Sequence, residues 1–399
     1  MNKYSRLPIP NGRMGLLLTI CGIKNTAIIE YGPSGTTHFA MDFLRGTGEN
    51  INNLYCAHIE EKDILFGSTK KLEKAILELD SKNIFKYIFV VSTSITELIG
   101  IDLENCCELI EDKVKAKLVP VTKYSNDITF GIKKGLELLI KSQKLNSNLS
   151  KNKFNIIGIT KEECYFKSNQ KSIENLMEEF FKLKLNCNLG CSSTIEEIEN
   201  FLEAKINIVT RIEGLEIAKY LKEKYDIPYT LVNFYSFKNV EESLKNIEIA
   251  LNKERISYLS QDDKGRIEKL KTFFKYKLDG VKLNVLIAGN YFECYGLTKI
   301  LEEDLGIEVS EIVVNHELSL LHKEYLKGFE VRLINRRDWE EKERYDIVLG
   351  DEEILNALNY KVGIRVSNPN ISARFFSNEN SFMGIEGILK IGERILNIL

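Results

Sequence analysis

The chain lacks the features that mark a secreted, membrane-spanning or nucleic-acid-binding protein. Its 55 Lys and Arg residues are matched by 58 Asp and Glu residues, so the formal net charge of -3 provides no positive field for nucleic acid or an anionic membrane. No segment approaches the roughly 20 apolar residues that cross a bilayer, and the N-terminal segment 1–15 has no apolar core of a signal peptide. We therefore expect a cytoplasmic protein whose partners include neither nucleic acid nor a membrane.

Catalytic signatures are also scarce. The sequence contains no Gly-x-x-x-x-Gly-Lys-Ser/Thr phosphate-binding motif, so we do not expect this chain to hydrolyse ATP itself. Its four histidines form no His-Glu-x-x-His metal motif. These histidines are His38, His58, His316 and His322.

The eight cysteines are scattered along the chain, and in the cytosol we expect them to be thiols rather than a disulfide framework. Cys187 and Cys191 have a metal-like spacing, but only Cys164 lies nearby in sequence and no histidine does. Cys106 and Cys107 fall in a predicted helix, where adjacent side chains diverge by about 100° and cannot clamp one metal. The simplest role of the remaining three is that of small core residues; they are Cys21, Cys56 and Cys294.

What the sequence does contain is an alternation of short, β-rich apolar runs with amphipathic helical segments. This alternation is typical of parallel sheets covered by helices, so we predict an α/β protein with three Rossmann-like domains. The predicted limits are 1–147, 148–265 and 266–379, and a C-terminal helical segment, 380–399, is expected to complete the first domain. The polar stretch Lys141–Lys153 marks the first linker. The predicted strands are Thr26–Tyr31, Tyr87–Val91 and Ala116–Thr122, then Phe154–Thr160, Ile206–Thr210 and Tyr229–Phe234, then Leu283–Gly289, Glu311–Asn315, Val331–Asn335, Asp346–Gly350 and Val362–Val366.

Two turns follow strongly predicted strands of the first domain. Tyr31–His38 is rich in Gly and Pro, which lets the backbone approach a bulky group closely, and Ser92–Asp102 places hydroxyl residues where a helix begins. A tight strand-to-helix turn and simple helix capping explain each of them taken alone. Because ligands of open parallel sheets bind beyond the carboxyl ends of the strands, these turns are also candidates for a functional surface.

Taken in order, the two turns and the blocks between them resemble the nitrogenase component 1 family. That family has a Gly-Pro-x-Gly-Cys turn, a Glu-x-Asp-x-x-Phe-Gly-x-x-x-Lys-Leu block and a Ser-Thr-Cys…Leu-Ile-Gly-x-Asp loop. Here the turn at Tyr31–His38, the block Ile59–Gly67 with Lys70-Lys71-Leu72, and the loop at Ser92–Asp102 keep each frame. The resemblance extends over nearly the whole chain, through Thr194–Lys219, Tyr225–Pro228, Leu283–Val309, Tyr345–Gly350 and Phe382–Gly387.

The resemblance implies metal positions, and this chain departs from the family at each of them. The three positions where a family subunit supplies thiolates to a cluster at a subunit interface correspond to Asn11, give or take a residue, Thr36 and Ser94. None is a thiol, and iron–sulfur clusters are held by Cys thiolates. We therefore expect the lone chain to hold no ordinary iron–sulfur cluster and to bind no cofactor by itself, although a cluster held mainly by a partner subunit remains compatible.

The positions that hold the larger cofactor of true nitrogenases correspond to Arg211 and Met383. Neither can replace its counterpart as a ligand, so we expect no dinitrogen reduction. Arg211 would suit an anionic group, and an ion-paired arginine is the alternative. His38 is a further pocket candidate. Cys56, together with His58 near the expected interface, joins Cys187 and Cys191 as a candidate metal ligand.

The function implied by the resemblance is that of an oxidoreductase subunit. It would act with a homologous, cluster-bearing subunit and with an ATP-dependent iron–sulfur reductase similar to the nitrogenase iron protein. The interface is expected at the two turns, with Gly32, Pro33, Gly35, Gly100 and Asp102. Two alternatives stay open: a non-catalytic scaffold or cofactor- or tetrapyrrole-binding assembly protein of the same fold, and a plain small-molecule-binding protein.

Overall fold

Three parallel sheets flanked by helices make up the protein. The computed structural model describes residues 10–47, 51–123, 125, 127–146, 152–325, 327, 331–333 (backbone only), 344–368, 370 and 380–399. The sheets follow one another along the chain, and every strand pair within them is parallel. The predicted fold class is therefore confirmed. None of the helices in these ranges is long and apolar enough to cross a membrane.

The first sheet has four strands in the order β2-β1-β3-β4. Its two central strands are apolar along most of their length and buried throughout, as strands covered on both faces must be. The strands are β1 (Thr26–Gly32), β2 (Leu54–His58), β3 (Tyr87–Ser92) and β4 (Lys117–Val121). The helices around them are α1 (Gly12–Ile20), α2 (Ser34–Arg45), α3 (Glu61–Phe66), α4 (Lys70–Ser81), α5 (Ser94–Leu98), α6 (Leu103–Glu108) and α7 (Ile128–Lys141).

The second sheet also has four strands, in the order β6-β5-β7-β8. They are β5 (Lys153–Ile157), β6 (Lys184–Leu189), β7 (Asn207–Val209) and β8 (Tyr229–Leu231). Its helices are α8 (Phe166–Phe181), α9 (Ile195–Glu199), α10 (Leu215–Tyr225) and α11 (Phe237–Leu251).

The third sheet has five strands in the order β11-β10-β9-β12-β13. They are β9 (Val285–Gly289), β10 (Glu311–Val314), β11 (Val331–Leu333), β12 (Arg344–Gly350) and β13 (Asn359–Arg365). The helices of this region are α12 (Gln261–Leu278), α13 (Tyr291–Lys299), which continues as a π-helical turn over Ile300–Leu305, α14 (Leu320–Tyr325), α15 (Glu352–Ala357) and α16 (Gly384–Ile398).

The C-terminal helix α16 packs against elements of the second and third sheets' units rather than against the first. It contacts α11, α12 and β13, and its buried Ile388, Ile391 and Ile395 belong to one apolar cluster with the second and third sheets. The expectation that this helix completes the N-terminal domain is therefore wrong, because its strongly amphipathic apolar face is already covered by α12 and its neighbours. The predicted limit at residue 265 falls inside α12.

Candidate functional site

The three residues predicted at cluster positions lie around the carboxyl edge of the first sheet. Thr36 is in the first turn of α2, which follows β1, and Ser94 begins α5, which follows β3. Asn11 precedes α1, where its side-chain oxygen accepts a hydrogen bond from the Met14 N–H at 3.1 Å. As an N-cap, Asn11 already has a structural role.

The two turns of this edge are in direct contact. The hydroxyls of Thr93 and Thr96 donate hydrogen bonds to the Tyr31 carbonyl at 3.2 and 3.1 Å. A Cβ at Gly32 would lie 2.3 Å from the Thr93 side chain, so only glycine permits this approach. Among the other expected interface residues, Gly35 and Gly100 are exposed, Pro33 is half-buried, and exposed Asp102 caps α6 by accepting from the Asn105 N–H at 2.9 Å.

A buried ion pair lies beneath these turns. Arg13 of α1 is 4% exposed and pairs through Nη1 with Glu30 of β1, which is 0% exposed. Its Nη2 donates to the Thr36 carbonyl at 3.4 Å. Glu30 Oε2 has no hydrogen-bond partner among the described residues.

A second polar cluster lies between the second and third units, at the carboxyl ends of their strands. Its centre is Arg211, which lies two residues beyond the end of β7 and is 2% exposed. Arg211 Nη1 donates to Glu162 at 2.8 Å, and Nε donates to Glu213 at 2.9 Å. Gly158, with a φ of 120°, makes room for this arginine, since a Cβ there would lie 2.7 Å from Arg211 Cγ.

Side chains of the third unit complete the cluster. The Tyr291 hydroxyl accepts from the Ile212 N–H at 2.6 Å and donates to Glu213 at 3.3 Å. His322 of α14 accepts from the Ser319 N–H at Nδ1, 3.1 Å away, so the proton of the neutral ring sits on Nε2, which donates to Glu213 at 3.1 Å. Glu213 is thus bonded to both units.

His316 is held neutral in the same region. Its Nε2 accepts from the Tyr291 N–H at 3.2 Å, and its Nδ1–H donates to the Glu317 carbonyl at 2.8 Å. Burial lowers the pKa of His316, in agreement with this bonding.

Three buried carboxyl groups near Arg211 have pKa values that are shifted in different directions. Burial alone would raise the pKa of Glu213, but Arg211 and His322 hold that pKa well below its ordinary value. Burial raises the pKa of Glu163 to about 7 and that of Glu293 well above its usual range. Although burial disfavours the charge of Arg211, the carboxylates of Glu213 and Glu162 raise its pKa further. The cluster therefore favours the ionised form of Glu213, which bonds Arg211, and the protonated forms of Glu163 and Glu293.

Met383 lies in a buried segment tied to this cluster. Its N–H donates to the Ser381 hydroxyl at 3.0 Å, and that hydroxyl donates to Asn169 Oδ1 at 2.8 Å. Asn169 in turn donates to Glu163 at 2.8 Å. His38, by contrast, is exposed on α2 of the first unit, away from Arg211 and Met383.

Comparison with known proteins decides the family. The family model for nitrogenase component 1 type oxidoreductases matches residues 12–399. The chain belongs to the nitrogenase component 1 family.

Relatives and solved structures agree with this family assignment. The chain is 29% identical over 312 residues to the nitrogenase iron-molybdenum cofactor biosynthesis protein NifE of Clostridium pasteurianum, a match that covers 74% of this chain and 65% of that protein. It is 24% identical to the nitrogenase molybdenum-iron protein alpha chain of Methanothermococcus thermolithotrophicus, with 67% of this chain and 59% of that one covered. The matches thus span less than two thirds of these relatives. The structure described as "Nitrogenase Cp1 at pH 6.5" superposes with a TM-score of 0.76 at 17% identity, covering 100% of this chain and 94% of that one, which shows the shared fold.

The residues that the sequence predicts at the family's cluster positions, Asn11, Thr36 and Ser94, do not fit an iron–sulfur cluster. They offer one amide and two hydroxyls in place of soft thiolates, and the Asn11 oxygen is already bonded. Within the described ranges, no three His, Cys, Asp or Glu side chains are arranged to hold a metal.

The candidate thiols have other surroundings in this component 1 chain. Cys187 is buried with its sulfur 3.2 Å from the Ser193 hydroxyl, and burial raises its pKa to about 12. Cys191 is buried in the turn after β6. Cys56 is half-buried with a pKa raised by burial, and neighbouring His58 accepts a hydrogen bond at Nδ1 from the Ser34 N–H, 3.3 Å away.

Of the two roles that the sequence left open for Arg211, the structure shows the ion-paired one, although its Nη2 has no partner among the described residues. Its partners Glu162 and Glu213, like the Arg13–Glu30 pair, were not expected. A signal existed for Glu30, since it is the one charged residue in the apolar strand Thr26–Gly32.

Proposed function

We propose that this chain is a non-ligating subunit of a component 1-type oxidoreductase in the cytoplasm. It pairs with a homologous subunit that carries the iron–sulfur cluster, and the pair receives electrons from an ATP-dependent iron–sulfur reductase. The observation that carries this proposal is the edge of the first sheet, where the two turns are in contact and the predicted cluster positions Asn11, Thr36 and Ser94 hold no thiol.

Apolar exposure around this edge supports a partner surface. Leu65 and Phe66 of α3 are 79% and 82% exposed, and Leu98 of α5 is 85% exposed. Both helices directly follow strands of the first sheet, so these side chains belong to the same side of the molecule as the two turns. Several large apolar side chains on one surface are typical of a protein–protein interface.

The second polar cluster supports a substrate-shaping role without a metal ligand. Arg211 is fully engaged at Nε and Nη1 by Glu213 and Glu162, and Met383 is buried with its segment bonded to Asn169. These side chains cannot hold a metal cofactor in the way a cysteine and a histidine do. Dinitrogen reduction at this position is therefore not part of the proposed activity.

A second candidate is a cofactor-assembly protein of the same fold. It is favoured by the similarity to NifE of Clostridium pasteurianum, whose name describes iron-molybdenum cofactor biosynthesis. In that case the chain binds or stabilises a partner that carries a precursor, without a redox step of its own.

The test is iron and acid-labile sulfide per chain after anaerobic expression. The chain is purified alone and then after coexpression with any homologous subunit encoded beside it. Iron only in the coexpressed complex, together with reductase- and ATP-dependent bleaching of its colour, supports the oxidoreductase pair. Iron in the complex without bleaching, or no iron in either sample, favours the assembly protein, and stoichiometric iron in the lone chain contradicts both.

A further inference from the structure

One side chain joins three elements beneath the partner surface. Arg13 projects from α1, pairs with Glu30 in the middle of β1 and reaches the Thr36 carbonyl in the first turn of α2. Both members of the ion pair are almost fully buried, at 4% and 0% exposure. The guanidinium has two nitrogens on one planar fork, so it can bond two acceptors at a fixed separation.

The pair is not explained by stability alone. Burying a carboxylate and a guanidinium costs desolvation energy that their attraction does not reliably repay. Glu30 also keeps one oxygen without a partner in the described part of the chain, so the pair is incompletely satisfied. Two apolar side chains would fill this space without that cost. This argues that the Arg13 guanidinium serves to position a neighbouring segment rather than to stabilise the fold.

The Arg13 guanidinium positions the turn between Gly32 and Thr36. On its other side this turn is fixed by the Thr93 and Thr96 hydroxyls on the Tyr31 carbonyl, and by the close contact of Gly32 with Thr93. Arg13 supplies the remaining connection, from the turn to α1. The three segments that carry Asn11, Thr36 and Ser94 are thus linked to one another by protein hydrogen bonds.

We propose that Arg13 is a positioning residue that locks the Gly32–Thr36 turn against α1, so that this chain presents its partner surface in final form without any metal. In a subunit whose cluster thiols bind one metal centre, the centre itself connects these segments. Here the arginine fork and the two threonine hydroxyls make the connections. The partner surface rests on the proposed function, whereas the locking of the turn does not.

Hydrogen–deuterium exchange of the purified lone chain tests the lock directly. We expect peptides covering residues 32–38 to be protected equally with and without an iron chelator. In Arg13→Met we expect exchange of these peptides to rise by about 10-fold, the effect of losing one or two hydrogen bonds that hold a local structure. Arg45→Met is the matched control, because Arg45 forms an exposed pair with Asp42 on the same unit, and it should leave this exchange unchanged.

A double variant separates positioning from general stability. Arg13→Met alone leaves Glu30 as a buried, unpaired carboxylate, so its fold can weaken for that reason only. In Arg13→Met/Glu30→Gln the charge is gone, and we expect the melting temperature to recover while exchange at residues 32–38 stays fast. If the double variant recovers both the melting temperature and the slow exchange at residues 32–38, the proposal is wrong. It is also wrong if an iron chelator changes this exchange in the unaltered chain, a result that can be obtained even if the variants do not fold. Neither result alters the iron content that tests the proposed function.

Discussion

Replacing Arg211 with methionine should destabilise the fold strongly and in a pH-dependent way. The guanidinium is 2% exposed and bonds Glu162 at 2.8 Å and Glu213 at 2.9 Å, with both carboxylates buried. Methionine fills much of the volume but leaves two buried carboxylates without their cation. Removing one partner of such a buried group costs about 3–5 kcal/mol of unfolding free energy.

The pH dependence of this loss follows from the pKa of Glu213. In the unaltered protein that pKa lies below its unfolded value, so folding favours the ionised carboxylate, and this contribution is present above the unfolded pKa and lost as pH falls. Without Arg211, burial dominates and the pKa of Glu213 in the folded state rises above its value in the unfolded state. The variant therefore loses most stability at the higher pH values, where Glu213 must ionise. The difference in stability between the two proteins should therefore shrink as the pH falls from about 8 to about 5.

Urea unfolding followed by circular dichroism at several pH values measures both effects. Arg266→Met is the matched control, since Arg266 and its partner Glu386 have side chains that are 39% and 74% exposed, and exposed pairs contribute about 0–1 kcal/mol. Arg211→Met/Glu213→Gln should recover part of the loss. A loss below about 1 kcal/mol, or one that is constant with pH, would refute the idea that Arg211 compensates buried charge.

Three further predictions use other parts of the structure. Burial raises the pKa of Glu163 to about 7, so its contribution to stability is present below the pKa of the unfolded state and is lost as the pH rises through the pKa of the folded state. Glu163→Gln should therefore make the free energy of unfolding decline less between about pH 5 and 8. Gly32→Ala places a Cβ 2.3 Å from Thr93 and should cost about 1–3 kcal/mol in urea unfolding, whereas Gly35→Ala, with open space around its Cβ, should not; equal effects would contradict the close contact. Leu98→Asp should leave the melting temperature unchanged but weaken copurification of the homologous subunit, while Ile249→Asp on α11, also exposed, should not; retained binding in the first variant would move the interface elsewhere.

The central strands could be predicted from the sequence, whereas two edge strands could not. Strands such as β3, Tyr-Ile-Phe-Val-Val-Ser, are buried on both faces and so carry continuous apolar runs. The missed strands are β2, Leu-Tyr-Cys-Ala-His, and β6, Lys-Leu-Asn-Cys-Asn-Leu, which lie at the edges of their sheets. In β2 and β6 polar residues interrupt the apolar ones, and this pattern resembles that of a loop.

The cluster around Arg211 shows a different limit. Sequence order and the strand-end rule placed Arg211 at a ligand-binding edge. The cluster around it also includes side chains from far along the chain, such as His322, which bonds Glu213 across a separation of 109 residues. A single sequence does not show which charges meet across such a junction. The alternatives of a free and an ion-paired arginine were both open, and only packing distinguishes them.

The retained turns do not by themselves indicate retained redox chemistry. Gly32 is required because its backbone touches Thr93, and Thr93 and Thr96 satisfy the Tyr31 carbonyl at the end of a buried strand. These are demands of the fold, which apply whether or not a cluster is present. The fold does not require thiols at positions 36 and 94, since Thr36 is half-buried and Ser94 is exposed. The turn motifs can therefore be present without cluster thiols. The iron content of the chain coexpressed with a homologous subunit, rather than the motifs, distinguishes a redox subunit from an assembly protein.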